Sequence, residues 1–527
     1  MTSATLRRRL AIALSGLVAP AGLVACGDSD AASDGEKVLK VAIASLSECN
    51  DPQLDNYGFG SSIGRQIVDS LTERNQDDPT KIEPWLATEW EISDDARVYT
   101  FHLRDDVTFS DGEKLTAQVV KDNFETLATL TGTGSAFVQG IESIETPDDT
   151  TVVITFEQPN AAFLQATAQY QLGIVSPKTL EKSAEERCAE GVVGSGPFVT
   201  DSFELNKKWV LTKRDGYAWP SGAREATGEA AVDRVEFSFI TETSVQTGVL
   251  TSGQVDIAPL AFQDAKTVEE SGFQLLQAPN KVPAVSLEVN TSRGPLAEQD
   301  VRLALSHAIN REEVVEKAHS GLTRPATGSL TAASPFHIDQ PDLVSYDPEL
   351  SEQLLDDAGW KPGPDGVREK DGTPLQVTVS YASNPDNTRF LEVIQSQVKE
   401  VGFDFQLRPL TTGEFDEALV SGDYDLHRWS GALIDGDVLR TLFSAHTLNK
   451  AQLPEDNDLE PLFEKELSLA DPDARREVIN EIQDLVVGRG YQIPVFDMVT
   501  TYGASEDVSG VKFDDSAIWL YEADVDR

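Results

Sequence analysis

Basic residues are scarce in this chain of 527 residues: 43 Lys and Arg stand against 89 Asp and Glu, a formal balance of −46. A surface so poor in cations lacks the phosphate-neutralising charge that drives nucleic-acid binding, which excludes DNA and RNA as expected partners. Cysteine is scarcer, with three residues. Neither a CxxC pair nor a Cys/His cluster at zinc spacing occurs, so no protein-held metal and no cofactor is expected. G-x-S-x-G, H-E-x-x-H and a P-loop string are missing too, which removes the commonest signatures of an esterase, a zinc protease and a nucleotide hydrolase. An extracytoplasmic hydrolase remains the rival class, because scattered acids make any Asp/Glu pair uninformative without geometry. What is present is ordinary: 40% apolar and 25% charged residues argue against disordered and membrane-bundle chains. The length allows about two to four domains.

The amino terminus carries an export pattern. Arg7, Arg8 and Arg9 precede an apolar run from Leu10 to Ala25, interrupted by small residues and Pro20. The run is too short and too broken for a permanent membrane span of about 20 residues. It ends Leu23-Val24-Ala25-Cys26, which resembles the lipobox of bacterial lipoproteins. Residues 1–25 are expected to be a cleaved signal peptide, Cys26 the lipidated residue and 26–36 a polar tether. Several acyl chains on Cys26 give stable anchoring to the cell membrane on its outer side, where a single chain does not. Cleavage leaves 40 basic against 89 acidic residues, a balance of −49. Cys49 and Cys188 then remain as an even pair, a candidate disulfide in an oxidising compartment.

Along the mature chain, strand-like stretches (37–45, 150–156, 232–240, 375–381, 403–410) alternate with helical ones. Helical periodicity puts Val301, Ala304, Leu305 and Ala308 on one face of 297–309, after which Asn310 and Glu313 form a candidate capping box. Over 346–360, Asp347 reads as the cap and Pro348 as the first helical residue; 390–403 gives a third helix ending at Gly402. Alternating strands and helices predict an α/β architecture.

Five collinear blocks carry a family resemblance. They are IEPWLATEWEISDDARVYTFHLRDDVTFSDGEKLTAQVVKDNFETL (82–127), GSGPFVTDSFELNKKWVLTKRDGYAW (194–219), LEVNTSRGPLAEQDVRLALSHAINREEVV (287–315), YDPELSEQLLDDAGW (346–360) and GDYDLHRWSGALIDGD (422–437). Together they resemble family 5 of the solute-binding proteins of ABC importers, which includes peptide, nickel-chelate and glutathione binders. The resemblance implies an α/β, bilobal, periplasmic-binding-protein-like fold with a hinge and an extra domain. Domain I is then built from 37–78, 193–283 and 494–527, the extra domain II from 79–192, and domain III, the second ligand-binding lobe, from 284–493. It also implies a monomer that captures a small molecule or peptide between its lobes and hands it to the transmembrane subunits of an ABC permease. A peptide or peptide-like solute is the expected cargo, with a nickel or other metal chelate as the alternative.

In the peptide-binding branch, a Trp is followed three residues later by an Asp that pairs with the ligand's amino group. Counted from Trp429 that position is Ala432, so the carboxylate is expected only if Asp435 or Asp437 supplies it from a shifted register. In the nickel-chelate branch, Asp437 stands where a metal-contacting His belongs, Ser430 where a Trp belongs, and Tyr170 where an Arg grips the ligand. Trp429, Asp435, Asp437, Tyr170 and Phe137 are therefore candidate ligand contacts. Tyr57 and Phe59, in a Gly-rich loop after the first strand, join them. His427 and His446 read as isolated histidines.

Overall fold

The computed structural model describes residues 35–43, 49, 51–54, 61–76, 78, 80–130, 132–280, 283–429, 435–514 and 517–526. Cys26, Tyr57 and Phe59 lie outside the described residues. Lys37–Arg527 forms one compact unit, organised around two large sheets with further α/β layers.

The first sheet has seven strands, in the order Gln274–Pro279, Val499–Ala504, Ile257–Pro259, Val38–Ile43, Arg234–Phe239, Lys208–Lys213, Phe198–Glu204. Val38–Ile43 sits at its centre, parallel to Arg234–Phe239. Five of its six residues are buried or half-buried, and Leu39 and Val41 are fully so, as a strand covered on both faces requires. The second sheet has six strands, in the order Arg324–Pro325, Gln492–Asp497, Val285–Val289, Leu426–Trp429, Gln376–Ala382, Asp404–Leu410.

The chain passes between these sheets in two places, after Pro279 and at Met498. The crossings are tied side by side. The amide of Asn280 donates to the carbonyl of Met498 at 3.1 Å, and Thr500 Oγ1 donates to Asn280 Oδ1 at 3.2 Å. Because Gln492–Asp497 pairs with the second sheet, the second crossing falls later than the boundary at 494 expected from sequence.

A third, all-antiparallel sheet runs Ala87–Ile92, Val98–Leu103, Thr151–Phe156, Ile141–Asp148. Helix Ala117–Leu127 packs on it, opened by Thr116, whose hydroxyl accepts from the Val119 amide. Its core is aromatic: Phe163 lies edge-on to Tyr99 at 5.2 Å and to Phe156 at 4.8 Å. This sheet and the seven-stranded one share a continuous apolar core. The six-stranded sheet has its own, and a third core lies under helices Val438–Phe443 and Pro472–Gly488. Two separate sheet cores joined by paired crossings make the molecule bilobal.

Local signals decide where the helices begin. Asp347 caps Pro348–Asp357 through the Leu350 amide at 2.9 Å. The helix expected from 390 begins at Pro385, because Asn384 accepts from the Asn387 amide at 2.7 Å and Pro385 fills the first turn. Asn310 caps its helix through the Glu313 amide, but the Glu313 side chain turns to Gln397 and Lys317, leaving half a capping box.

Candidate functional site

A cavity of about 480 Å³ opens between the segment 136–169, beside the antiparallel sheet, and the segment 435–467. Tyr99 Oη holds one wall by donating to the Asn160 carbonyl at 2.7 Å. The Ala161 amide reaches across to the Leu467 carbonyl at 2.9 Å. Phe137, Phe156 and Phe163 supply aromatic surface, and Gln139, Gln158, Asn160, Gln165 and Gln169 supply carboxamides. Asp435, Asp437, Arg440 and Thr441 close the opposite side.

The acids on that side are already partnered. Asp437 stands at the start of helix Val438–Phe443, and both its oxygens accept from Arg440, at 2.5 and 2.7 Å. Asp435 accepts the Asp437 amide at 2.8 Å and takes a bidentate grip from Arg475 of helix Pro472–Gly488, one contact at 2.8 Å. The Nε of Arg475 also donates to Glu466 at 2.8 Å. Burial works against the Arg475 charge, but Asp435 and Glu466 more than offset it and hold the guanidinium above its ordinary range. Burial pushes the Glu466 carboxyl well above its usual range, against the pull of Arg475. The result is a charge-compensated wall rather than a bare carboxylate awaiting a cation.

The other candidate positions divide. Phe137 borders the cavity. Tyr170, 7% exposed, lies on the short turn Tyr170–Leu172, one residue past the lining residue Gln169. Trp429 is half-buried, ends strand Leu426–Trp429, and packs against the core under helix Pro472–Gly488. Lys450 Nζ lies 4.5 Å from its ring centroid. Burial lowers the Lys450 amine, against the pull of Glu288, whose carboxyl burial raises. His427 is fully buried, stacked on Phe415 at 4.1 Å, and pushed down to about 2 by burial, so its ring stays neutral. Among the described residues no group of three or more His, Cys, Asp or Glu is placed to hold a metal ion. No helix among them is long and apolar enough to cross a membrane. Cys49 and Cys188 are joined in a disulfide with Cα atoms 4.2 Å apart.

Sequence reasoning missed Gln165, Gln169, Arg440 and Arg475. The Arg440 pairing could have been read from its spacing three residues beyond Asp437 on a helix. Arg475 sits forty residues beyond Asp435, and only the packing of helix Pro472–Gly488 brings them together.

Residues 81–449 match the family model described as bacterial extracellular solute-binding proteins, family 5 Middle. The chain belongs to that family. Among curated relatives, the nickel-binding periplasmic protein of Escherichia coli K12 is 24% identical over 400 residues, 73% of this chain and 74% of its own. The glutathione-binding protein GsiB of Escherichia coli O1:K1 / APEC is 25% identical over 513 residues, 93% of this chain and 95% of its own. Among solved structures, NikA from Brucella suis in complex with Fe(III)-EDTA superposes with a TM-score of 0.81 at 21% identity, covering 93% of this chain and all of that one. Family 5 members are extracytoplasmic solute binders, and this chain is accordingly a binding protein and not an enzyme.

Proposed function

We propose that the protein is the substrate-binding lipoprotein of an ABC importer, anchored through Cys26, capturing a peptide or peptide-like solute and delivering it as a monomer to a membrane permease. The observation that carries this reading is the cavity, whose walls come from two separate stretches of chain, 136–169 and 435–467. Contacts made by both walls exist only when the walls are together, so ligand favours the closed form by population shift, and the permease reads that form. The paired crossings at Asn280 and Met498 are the natural hinge. In this division, domain I takes 37–78, 193–283 and the chain from Met498 onward, domain II takes 79–192, and domain III takes 284 to the crossing. Asp435, Asp437 and Phe137 then border the ligand, with Trp429 and Tyr170 as outer contacts; Tyr57 and Phe59, outside the described residues, stay candidate contacts.

Peptide is preferred over metal chelate on two grounds. The glutathione-binding relative aligns along nearly the whole chain, and glutathione is a tripeptide. His427 is fully buried and stacked on Phe415, so its imidazole is not offered to a metal. A chelate is the second reading, favoured by the nickel-binding relative. Thermal-shift screening of the purified mature protein against di- and oligopeptides, each with a free and with an N-acetylated amino terminus, glutathione and Ni-histidine separates the two. Saturating ligand at about 100 times Kd adds about 2.7 kcal/mol. A shift seen only with metal-loaded chelates rejects the peptide reading. Cys26→Ala, followed by membrane fractionation, tests the anchor: protein still retained in the membrane rejects lipidation at this residue.

A further inference from the structure

The cavity presents a ligand with amides and rings, but with little free charge. Asp435 is held by Arg475 and Asp437 by Arg440, each through both oxygens. A ligand ammonium approaching either one has to displace an arginine that is already bonded and partly or wholly out of water. Losing Arg475 from Asp435 also leaves that cation with Glu466 alone. Breaking the buried Asp435–Arg475 pair from one side is strongly unfavourable, since an uncompensated charge is left behind; the partly exposed Asp437–Arg440 pair costs less to break. Glu157 also borders the cavity but is exposed, where pairing with an amine contributes little.

The uncommitted polar groups are of the opposite kind. Gln165 Oε1 is buried without a hydrogen-bond partner among the described residues, and Gln169, only 6% exposed, borders the same space. A buried acceptor without a partner is costly until something donates to it. Once the carboxamide turns toward the cavity that Gln165 borders, a ligand amide N–H satisfies it with no charge to desolvate, and a carboxamide can both donate and accept, matching the two faces of a peptide group. Phe137 offers a ring for an apolar side chain.

Resting on the peptide reading above, we propose that the solute bound in this cavity is a peptide without a charged terminal amine there, such as an N-acylated or cyclic peptide. Its amide groups are read by Gln165 and Gln169. The Asp435–Arg475 and Asp437–Arg440 pairs act as a neutral wall that disfavours a free ammonium.

The test is competition between the two halves of one random tripeptide library, one with free amino termini and one N-acetylated, presented to the full mature protein and read by native mass spectrometry and calorimetry. The acetylated half is expected to bind about tenfold or more tighter, equivalent to about 1.4 kcal/mol. Equal binding of the two halves, or preference for the free half, overturns the inference and leaves the peptide reading standing. Binding of neither half, together with a melting shift from Ni-histidine, overturns both. Gln165→Leu locates the effect: it removes the acceptor without burying a charge, so it is expected to weaken the acetylated ligand at least tenfold while melting no lower than the parent. A properly folded Gln165→Leu protein with unchanged affinity for the acetylated ligand overturns the assignment to this cavity.

Discussion

Asp497→Asn should stabilise the protein at alkaline pH and do nothing at acid pH. Asp497 ends the strand leading into the Met498 crossing and is 6% exposed. Its Oδ2 accepts the Ala332 amide at 2.9 Å, and its Oδ1 is buried without a hydrogen-bond partner among the described residues. Burial raises the carboxyl from 3.8 to about 6, against the Ala332 amide, His337 and Arg324, while Asp339 adds to the rise. The folded value lies above the unfolded one, so the folded state binds the proton more tightly. The stabilising contribution is fully present below about pH 4 and is lost as pH rises through about 6. A shift of about two units corresponds to about 3 kcal/mol. Asparagine keeps an acceptor for Ala332, fills the same volume and never ionises, so it avoids this penalty. Urea unfolding of variant and parent at pH 4 and pH 8 measures the difference. The variant should match the parent at pH 4 and exceed it by about 2–3 kcal/mol at pH 8. Because the effect is read as variant minus parent, titration of the many other acids largely cancels. An Asn variant no more stable than the parent at pH 8 would refute the reasoning, since it would mean that the ionised carboxylate is well accommodated at the crossing.

Three further outcomes follow from the packing. Replacing Cys49 and Cys188 together by Ser opens a link spanning 139 residues and should cost about 2–5 kcal/mol in urea unfolding; dithiothreitol should reproduce the loss in the parent and leave the double variant unmoved. Arg475→Met strands the Asp435 and Glu466 carboxyls and should cost about 3–5 kcal/mol, with Glu466→Gln in the same chain recovering part of it. Gly194→Ala puts a methyl against the Ile67 carbonyl and Val68 in a fully buried stretch of the GSGPF block; the backbone has to move, at about 1–3 kcal/mol, and the melting temperature should fall.

Strands and helices were legible because short-range rules fixed them. The Asp347-Pro348 start is satisfied by neighbours in sequence, and VLKVAI is apolar enough to read as a strand although its partners lie far along the chain at Arg234–Phe239. The Asn384-Pro385 start carries the same signal, although apolar periodicity begins only at Phe390. The site was legible in part. Phe137, Asp435 and Asp437 do border the cavity, but what they can do there is set by Arg440 and Arg475, and only one of those is a sequence neighbour. Gln165 and Gln169 gave no signal at all, since a glutamine becomes informative only when burial leaves its amide unsatisfied.

The overall acidity shows why composition misleads about such a site. A balance of −46 invites a cationic cargo, and two aspartates do stand on the cavity wall. Each is answered by an arginine from its own lobe, at contact distances that leave no oxygen idle. The excess acid must then lie elsewhere, on solvated surface where it bears on solubility and long-range field and not on recognition. Selectivity passes instead to groups without charge. A variant that strips one arginine should expose the difference: Arg440→Leu frees Asp437 beside the cavity, and calorimetry with the free and acetylated tripeptide halves should show the free half gaining affinity relative to the acetylated half. No change in that ratio would show that Asp437 is out of reach of the ligand, and that the neutral wall is a feature of the lobe and not of the site.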